Sequence, residues 1–265
     1  MNSFEIIGGR RLSGRIVPQG SKNEALQVIS ACLLTKEKVD IKNVPEITDV
    51  LNLIKLLKVI GVKVRRIKPN HFNFQAKEIN KTYFQKEDFK KLSSKIRGSI
   101  MIMGPLLARK GEVHVLRPGG DKIGRRPLDT HFKGLGNLGA KIKNEKNNIY
   151  HVKGEQLIGT SILLEEASVT ATANIIMAAT KSKGETCVYN AACEPYIQQL
   201  CQMLKKMGAQ IRGIGTNLIK ITGVKKLTGT SHKVLPDMIE IGSWIGLAVM
   251  TQSNLTIKNC SINNL

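Results

Sequence analysis

Four stretches of this chain are apolar on nearly every side of a helical wheel. They are Ala25 to Leu34 (ALQVISACLL), Ser99 to Ala108 (SIMIMGPLLA), Ala171 to Thr180 (ATANIIMAAT) and Trp244 to Met250 (WIGLAVM). A helix without a polar face has to be buried, and the Ala, Ser and Gly in these stretches let such helices approach closely. After each comes a short alternating strand ending near Asn or Pro: VDIKNV from Val39, VHVLRP from Val113, CVYNAA from Cys187 and LTIKNC from Leu255. The spacings are 74, 74 and 68 residues. A second helix then carries one-sided patterning. Val50, Leu53, Ile54 and Leu57 face in while Lys55 and Lys58 face out, and Ile197, Leu200 and Leu204 oppose Gln198 and Lys205.

Gly61, Gly139 and Gly208 close these second helices, where a left-handed terminal residue is wanted. Alternating pairs follow (VKV with FNF, KIK with IYHV, QIR with LIKI), with turns at Pro69-Asn70, Asn147-Asn148 and Thr216-Asn217. A Leu-x-Gly echo at Leu12, Leu157 and Leu227 marks a lead strand before units. Self-similarity at a fixed period means modules that bury surface against one another. The pattern predicts an α/β fold of repeated βαβαββ units, three complete and a fourth begun. That fourth unit is expected to lack its second helix and hairpin.

Composition adds limits. At 265 residues with 42% hydrophobic content, the chain can build one large or two ordinary domains. Cys32, Cys187, Cys193, Cys201 and Cys260 form no CxxC pair, so neither a zinc site nor a disulfide framework is suggested. A reducing cytoplasm fits best. The N-terminus lacks an apolar signal core, and the longest apolar runs are about half the ~20 residues of a spanning helix. The net charge of +21 and pI of about 9.9 invite a nucleic-acid reading. Lysines are spread over every unit, however, and aromatics are only 4%, leaving few stacking platforms. A solvated basic surface that favours small anionic substrates is the better reading, with no nucleic-acid or membrane partner expected.

Four segments put polar residues where an element begins. Gly20-Ser21-Lys22-Asn23 opens the first buried helix, where a lysine adds fixed charge to free N–H groups, a suitable place for phosphate or carboxylate. Lys95-Ile96-Arg97-Gly98-Ser99 stands at the matching place in unit two, and arginine there suits a bidentate grip on an oxyanion. Pro118 to His131 (PGGDKIGRRPLDTH) is a glycine-rich loop bearing an acid, three bases and an Asp/His pair, a composition suited to a lid. Leu235 to Gly242 (LPDMIEIG) heads unit four and reads as a crossover with a capping aspartate.

Taken in order, GSKNEAL, SKIRGSI, PGG-x-x-IG-x-RP-x-D-x-H, NAACEP and VLPDMIE-x-G resemble the UDP-N-acetylglucosamine enolpyruvyl transferase family along the whole chain. Asn23 after Lys22 separates it from the related shikimate-pathway transferases, which look like GSKS here. The resemblance implies an inside-out α/β barrel, two three-unit domains and an active site in the cleft between them. One domain would be residues 22–229; residues 1–21 with 230–265 would be an incomplete second one. It also implies addition and elimination between phosphoenolpyruvate and the sugar 3′-hydroxyl of UDP-N-acetylglucosamine, the first committed step of peptidoglycan synthesis, without metal or organic cofactor. Lys22, Arg97 and Arg126 match the cations that hold phosphoenolpyruvate, and Asn23 the residue that binds the sugar. Arg126, Pro127, Leu128, Asp129 and His131, with Ser168, Val169 and Thr170, match the uridine nucleotide site.

Asp121 matches the loop position of the proton donor, with Lys22 and Arg126 as its catalytic partners. Most members carry cysteine at that position and a minority aspartate; a carboxyl can donate a proton if its pKa is raised. The general-base aspartate and further substrate-binding arginines of the family match nothing within these residues, so the 265 residues alone are expected not to turn over. A UDP-sugar-binding remnant and a basic nucleic-acid-binding protein are the alternatives. A carboxylate is a poorer nucleophile than a thiolate toward an epoxide. An active polypeptide containing this loop should therefore resist fosfomycin, and Asp121→Cys should make it sensitive. Mass spectrometry of the drug-treated proteins checks this, and a stoichiometric adduct on the Asp121 form would refute it.

Overall fold

A computed structural model describes residues 3–80, 82–120, 124, 127–145 and 148–265. Strand β1 (Ser13–Ile16) precedes a first unit of α1 (Lys22–Ala31), β2 (Lys38–Lys42), α2 (Thr48–Ile60), β3 (Lys63–Lys68) and β4 (His71–Gln75). Helix α3 (Glu87–Ser93) leads to a second: α4 (Met103–Lys110), β5 (Glu112–Leu116), α5 (Asp129–Asn137), β6 (Lys141–Asn144) and β7 (Ile149–Lys153). The third is β8 (Ser161–Leu163), α6 (Val169–Ala179), β9 (Glu185–Tyr189), α7 (Pro195–Lys206), β10 (Gln210–Arg212) and β11 (Leu218–Thr222). Then come β12 (Thr230–Lys233), α8 (Met238–Met250) and β13 (Asn254–Ile257).

Each unit contributes one antiparallel sheet, in the orders β2-β4-β3, β5-β7-β6 and β9-β11-β10. Strand residues alternate between buried and open, so Val39, Ile41, Phe74, Val113, Val115, Val152, Val188, Ile219 and Ile221 all point inward. They close over α1, α4 and α6, whose apolar residues are almost wholly buried. Helices lie inside and sheets outside, the α/β arrangement that the repeat predicts. No helix among the described residues is long and apolar enough to cross a membrane.

Lead strands pair in parallel with the repeat strands, but two of them exchange places. β12, just before unit four in sequence, lies on β2 of unit one, with Thr230 opposite Val39. β1, just before unit one, lies on β13 of unit four, with Ser13 opposite Asn254. The recurrent strand-end asparagine now has a reason. Asn43, Asn190 and Asn259 all have φ near +55° (57°, 55° and 54°), a left-handed conformation that asparagine tolerates. Asn43 Nδ2 donates to Val234 O and Asn190 Nδ2 to Leu164 O, each 2.9 Å away and each just past the lead strand. Unit two departs from this plan: among the described residues β5 has no lead strand in its sheet, and α3 fills the interval with Tyr83 and Phe89 buried beside it.

A second departure concerns the buried helix of that unit. The stretch Ser99 to Ala108 reads as one helix, yet Arg97–Ile102 is a 3-10 helix and α4 begins only at Met103. Asn174 of α6 is the cause. Its Oδ1 accepts from Gly104 N (2.7 Å) and its Nδ2 donates to Ile100 O (3.1 Å). Those are the two groups that an unbroken α-helix pairs with each other, and an inserted side chain of this kind interrupts the ladder.

Helix α8 contrasts with its three counterparts. It is just as apolar, but Ile241 alone among its residues is buried, while Ile239, Ile245, Val249 and Met250 are exposed.

Gly104 lets α4 lie against α6, since a Cβ there would collide with the Asn174 carbonyl. Gly104→Ala should cost about 1–3 kcal/mol by forcing the helices apart. Gly246→Ala on α8, where a Cβ meets nothing within 4 Å, should cost none. Urea denaturation of the two variants checks the difference.

Candidate functional site

Three of the buried helices present their first residues to one cleft of about 260 Å³. Lys22 and Asn23 start α1, Arg97 and Gly98 start the 3-10 turn before α4, and Val169 and Thr170 start α6; all six line it. The repeat therefore brings equivalent positions of three units to one place, where positive helix ends favour an anion. Lys95 adds a third cation, and Asp49 is the acid of the lining. Lys22 Nζ lies 3.4 Å from Asp49 Oδ2 with both side chains over two-fifths exposed, so the pair contributes little to stability and leaves Lys22 exchangeable. Asn23 hydrogen-bonds Tyr196, whose phenol is pushed up first by burial and then by Glu194.

The start of α1 is fixed from across the chain. Ser21 caps it by accepting from Glu24 N (3.4 Å). Asp237 Oδ2 accepts from Lys22 N (3.0 Å) while Oδ1 accepts from Ile239 N (2.9 Å), so one carboxylate serves the N-termini of both α1 and α8. Ser21 N donates to Leu235 O (2.8 Å) and Asp237 N to Gln19 O (2.9 Å). Beneath them Glu24 and His232 meet at 2.7 Å, both buried. Burial raises the Glu24 carboxyl above its ordinary range, and His232 opposes the shift.

The sequence-predicted residues do not all share this lining. Pro127 O accepts from an Arg97 guanidinium nitrogen at 3.2 Å. Leu128 is buried at the head of α5, and Asp129 is exposed on its first turn. Ser168 caps α6 through Ala171 N (3.4 Å). His131 lies buried behind the lining, 3.0 Å from Thr170 Oγ1 and 3.1 Å from Asn174 Nδ2. Gly119 packs against Ser94 with no room for a Cβ and Gly120 sits close against Arg97, so the loop's stem is docked beside the cleft. Asp121 and Arg126 lie outside the described residues.

One group of metal-capable side chains exists among the described residues: His114, Glu145 and His151, none of which lines the cleft. The two imidazoles are stacked at 4.1 Å and 7°, and Phe84 stacks on His114 at 3.8 Å. A metal binds in the plane of an imidazole at about 2 Å, and two rings stacked this way have no such point in common near them. As arranged, the rings cannot share an ion.

Residues 6–265 match the family model of EPSP synthase (3-phosphoshikimate 1-carboxyvinyltransferase). The chain belongs to this family. Among curated relatives, the UDP-N-acetylglucosamine 1-carboxyvinyltransferase of Bacteroides fragilis is 56% identical over 266 residues, covering 100% of this chain and 61% of the relative. The enzyme of that name from Treponema denticola is 47% identical over 259 residues, 98% of this chain and 59% of its own. This EPSP synthase family member thus spans about three fifths of the length of such relatives. Its fold is that of the enolpyruvyl transferase NikO from Streptomyces tendae, with TM-score 0.76 and 20% identity over 90% of this chain and 55% of that one. EPSP synthase from Acinetobacter baumannii gives 0.72 and 20% over 97% and 57%.

Several residues of the family member's cleft escape sequence reasoning. Asp49 and Tyr196 begin amphipathic helices and look like ordinary first-turn residues. Asn174 did carry a signal: an amide inside an apolar helix must find partners or cost stability.

His131 gives the site a pH signature. Burial, and then the Arg97 charge, push it down to about 3. An unfolded imidazole titrates near 6.5, so between these values the unfolded state binds the extra proton. Stability therefore rises with pH through that window and is lost as pH falls. Between pH 7.5 and pH 5 the wild type should lose about 2 kcal/mol more than His131→Gln. Denaturation at the two pH values checks it.

Proposed function

We propose that this chain carries the phosphoenolpyruvate- and nucleotide-binding wall of a UDP-N-acetylglucosamine 1-carboxyvinyltransferase, acting in the cytoplasm in peptidoglycan synthesis. The observation that carries the reading is the meeting of Lys22, Asn23, Arg97 and Thr170 at the mouths of three repeat helices, in a chain 56% identical to an enzyme of that name. Lys22 and Arg97 hold the phosphate and carboxylate of phosphoenolpyruvate, and fixed positive charge there stabilises the negative charge that develops on addition. The sugar 3′-hydroxyl adds to C2 while C3 takes a proton, for which Asp121 is the donor. Loss of a C3 proton and of phosphate then gives the enolpyruvyl ether. Arg126 completes the cationic grip, and Asn23 holds the sugar. Pro127, Leu128, Asp129 and His131, with Ser168 and Val169, shape the nucleotide end.

Residues 22–229 form one body of three units, with β12 lent to it, and β1, α8 and β13 belong to a second. The exposed apolar face of α8 and the greater length of the relatives support this division. A cleft with one wall binds but does not convert. Residues 1–265 alone should bind UDP-N-acetylglucosamine in calorimetry and release no phosphate from phosphoenolpyruvate above background. Absence of binding contradicts the substrate, and measurable phosphate release contradicts the one-wall account.

A further inference from the structure

The hydrogen bonds behind the cleft have a direction that the chemistry of each group fixes. Gly104 N–H can only donate, so Asn174 must turn Oδ1 toward it; Ile100 C=O can only accept, so Nδ2 must face that side. Asn174 is fully buried, and its amide cannot flip without leaving both backbone groups unpaired. Its second amide proton meets His131 Nδ1 at 3.1 Å, so that nitrogen is an acceptor and carries no proton. A neutral imidazole then holds its proton on Nε2, which donates to Thr170 Oγ1 at 3.0 Å. His131 stays neutral well below physiological pH. Thr170 Oγ1 thus already accepts, its own proton has no acceptor among the printed bonds of the described residues, and Thr170 lines the cleft beside Asn23 and Arg97.

The geometry points to Asn174 and His131 as positioning residues that hold the Thr170 hydroxyl as a hydrogen-bond donor to an acceptor oxygen of the bound nucleotide sugar. The ligand's chemical class rests on the functional reading above; the orientation of the relay does not. An isolated hydroxyl turns freely, whereas one with a lone pair already taken by a fixed imidazole N–H keeps a proton and a second lone pair for the cleft, and that proton is satisfied only by donating. Such a site favours an acceptor oxygen over a donor, because a ligand donor would leave the Thr170 proton unpaired.

Two measurements test this. Long-range nitrogen-15 spectra of the free chain read the tautomer of His131, expected to be Nε2–H at pH 7 and unchanged at pH 5.5; an Nδ1–H signal overturns the relay. The tautomer reads the relay itself, and the role of the relay toward the ligand is read separately. Titration with UDP-N-acetylglucosamine then reads the donor. Thr170→Val should bind roughly tenfold more weakly, and Thr170→Ser within about twofold of wild type. Equal affinity for wild type and Thr170→Val overturns the proposed donor. If the wild type does not bind the nucleotide sugar at all, the functional reading fails instead, and the spectra still decide the relay.

Discussion

A single carboxamide holds the centre of the three-unit body together. Asn174 sits where no water reaches, between two helices brought close by Gly104, and must satisfy a donor, an acceptor and an imidazole at once. A buried amide left with an unmet group costs on the order of 1–3 kcal/mol, so α4, α5 and α6 are bound to one relative placement. The same bond explains why the second buried helix is wound as 3-10 before it becomes α. Shifting α4 along α6 by one residue would break both backbone contacts together. Close packing and polar satisfaction therefore act as one constraint, and the first residues of α6 reach the cleft in register with those of α1.

The crossover between the body and α8 is held differently. Residues 19–22 and 235–240 pair through backbone bonds and through Asp237, which serves two helix starts, above the buried Glu24–His232 contact. The exchange of lead strands requires this. Because β12 joins β2 while β1 joins β13, the chain crosses between the two sheets twice, and the crossings lie side by side. Lys22 is the first residue after one crossing, and its own N–H is tied to the other. Asp237 thus links the start of α8 to the backbone of a cleft cation.

Much of the unit was legible in the sequence because its signals are local and repeated. Alternation at Val39, Val113 and Cys187, glycine after the second helices and asparagine in the turns each report a backbone need that no distant contact can alter. What stayed hidden depends on partners far away in the chain. The strand before unit one carries the same Leu-x-Gly mark as the others, and nothing in it says that it joins β13 rather than β2. The 3-10 turn at Arg97 is dictated by a residue over seventy positions later. Tyr83 and Phe89 gave no periodic pattern long enough to announce α3. At the site, Lys22, Asn23 and Arg97 stood out as polar residues at apolar helix mouths. Asp49 and Tyr196 did not, since a first-turn Asp and a first-turn Tyr are common on any helix.

Repetition also explains how one cleft gathers cations that lie far apart in sequence. When three similar units close around their own helices, the helix starts converge at one end, whatever side chains they carry. Each unit can then vary its own mouth: a lysine and an amide in the first, an arginine in the second, a hydroxyl in the third. The backbone supplies a positive end three times, and the side chains need only tune it. A net charge of +21 spread evenly over the chain cannot by itself select a ligand. Lys22, Lys95 and Arg97 differ from that diffuse charge in lining one concave site together, where the field of each cation adds to the others.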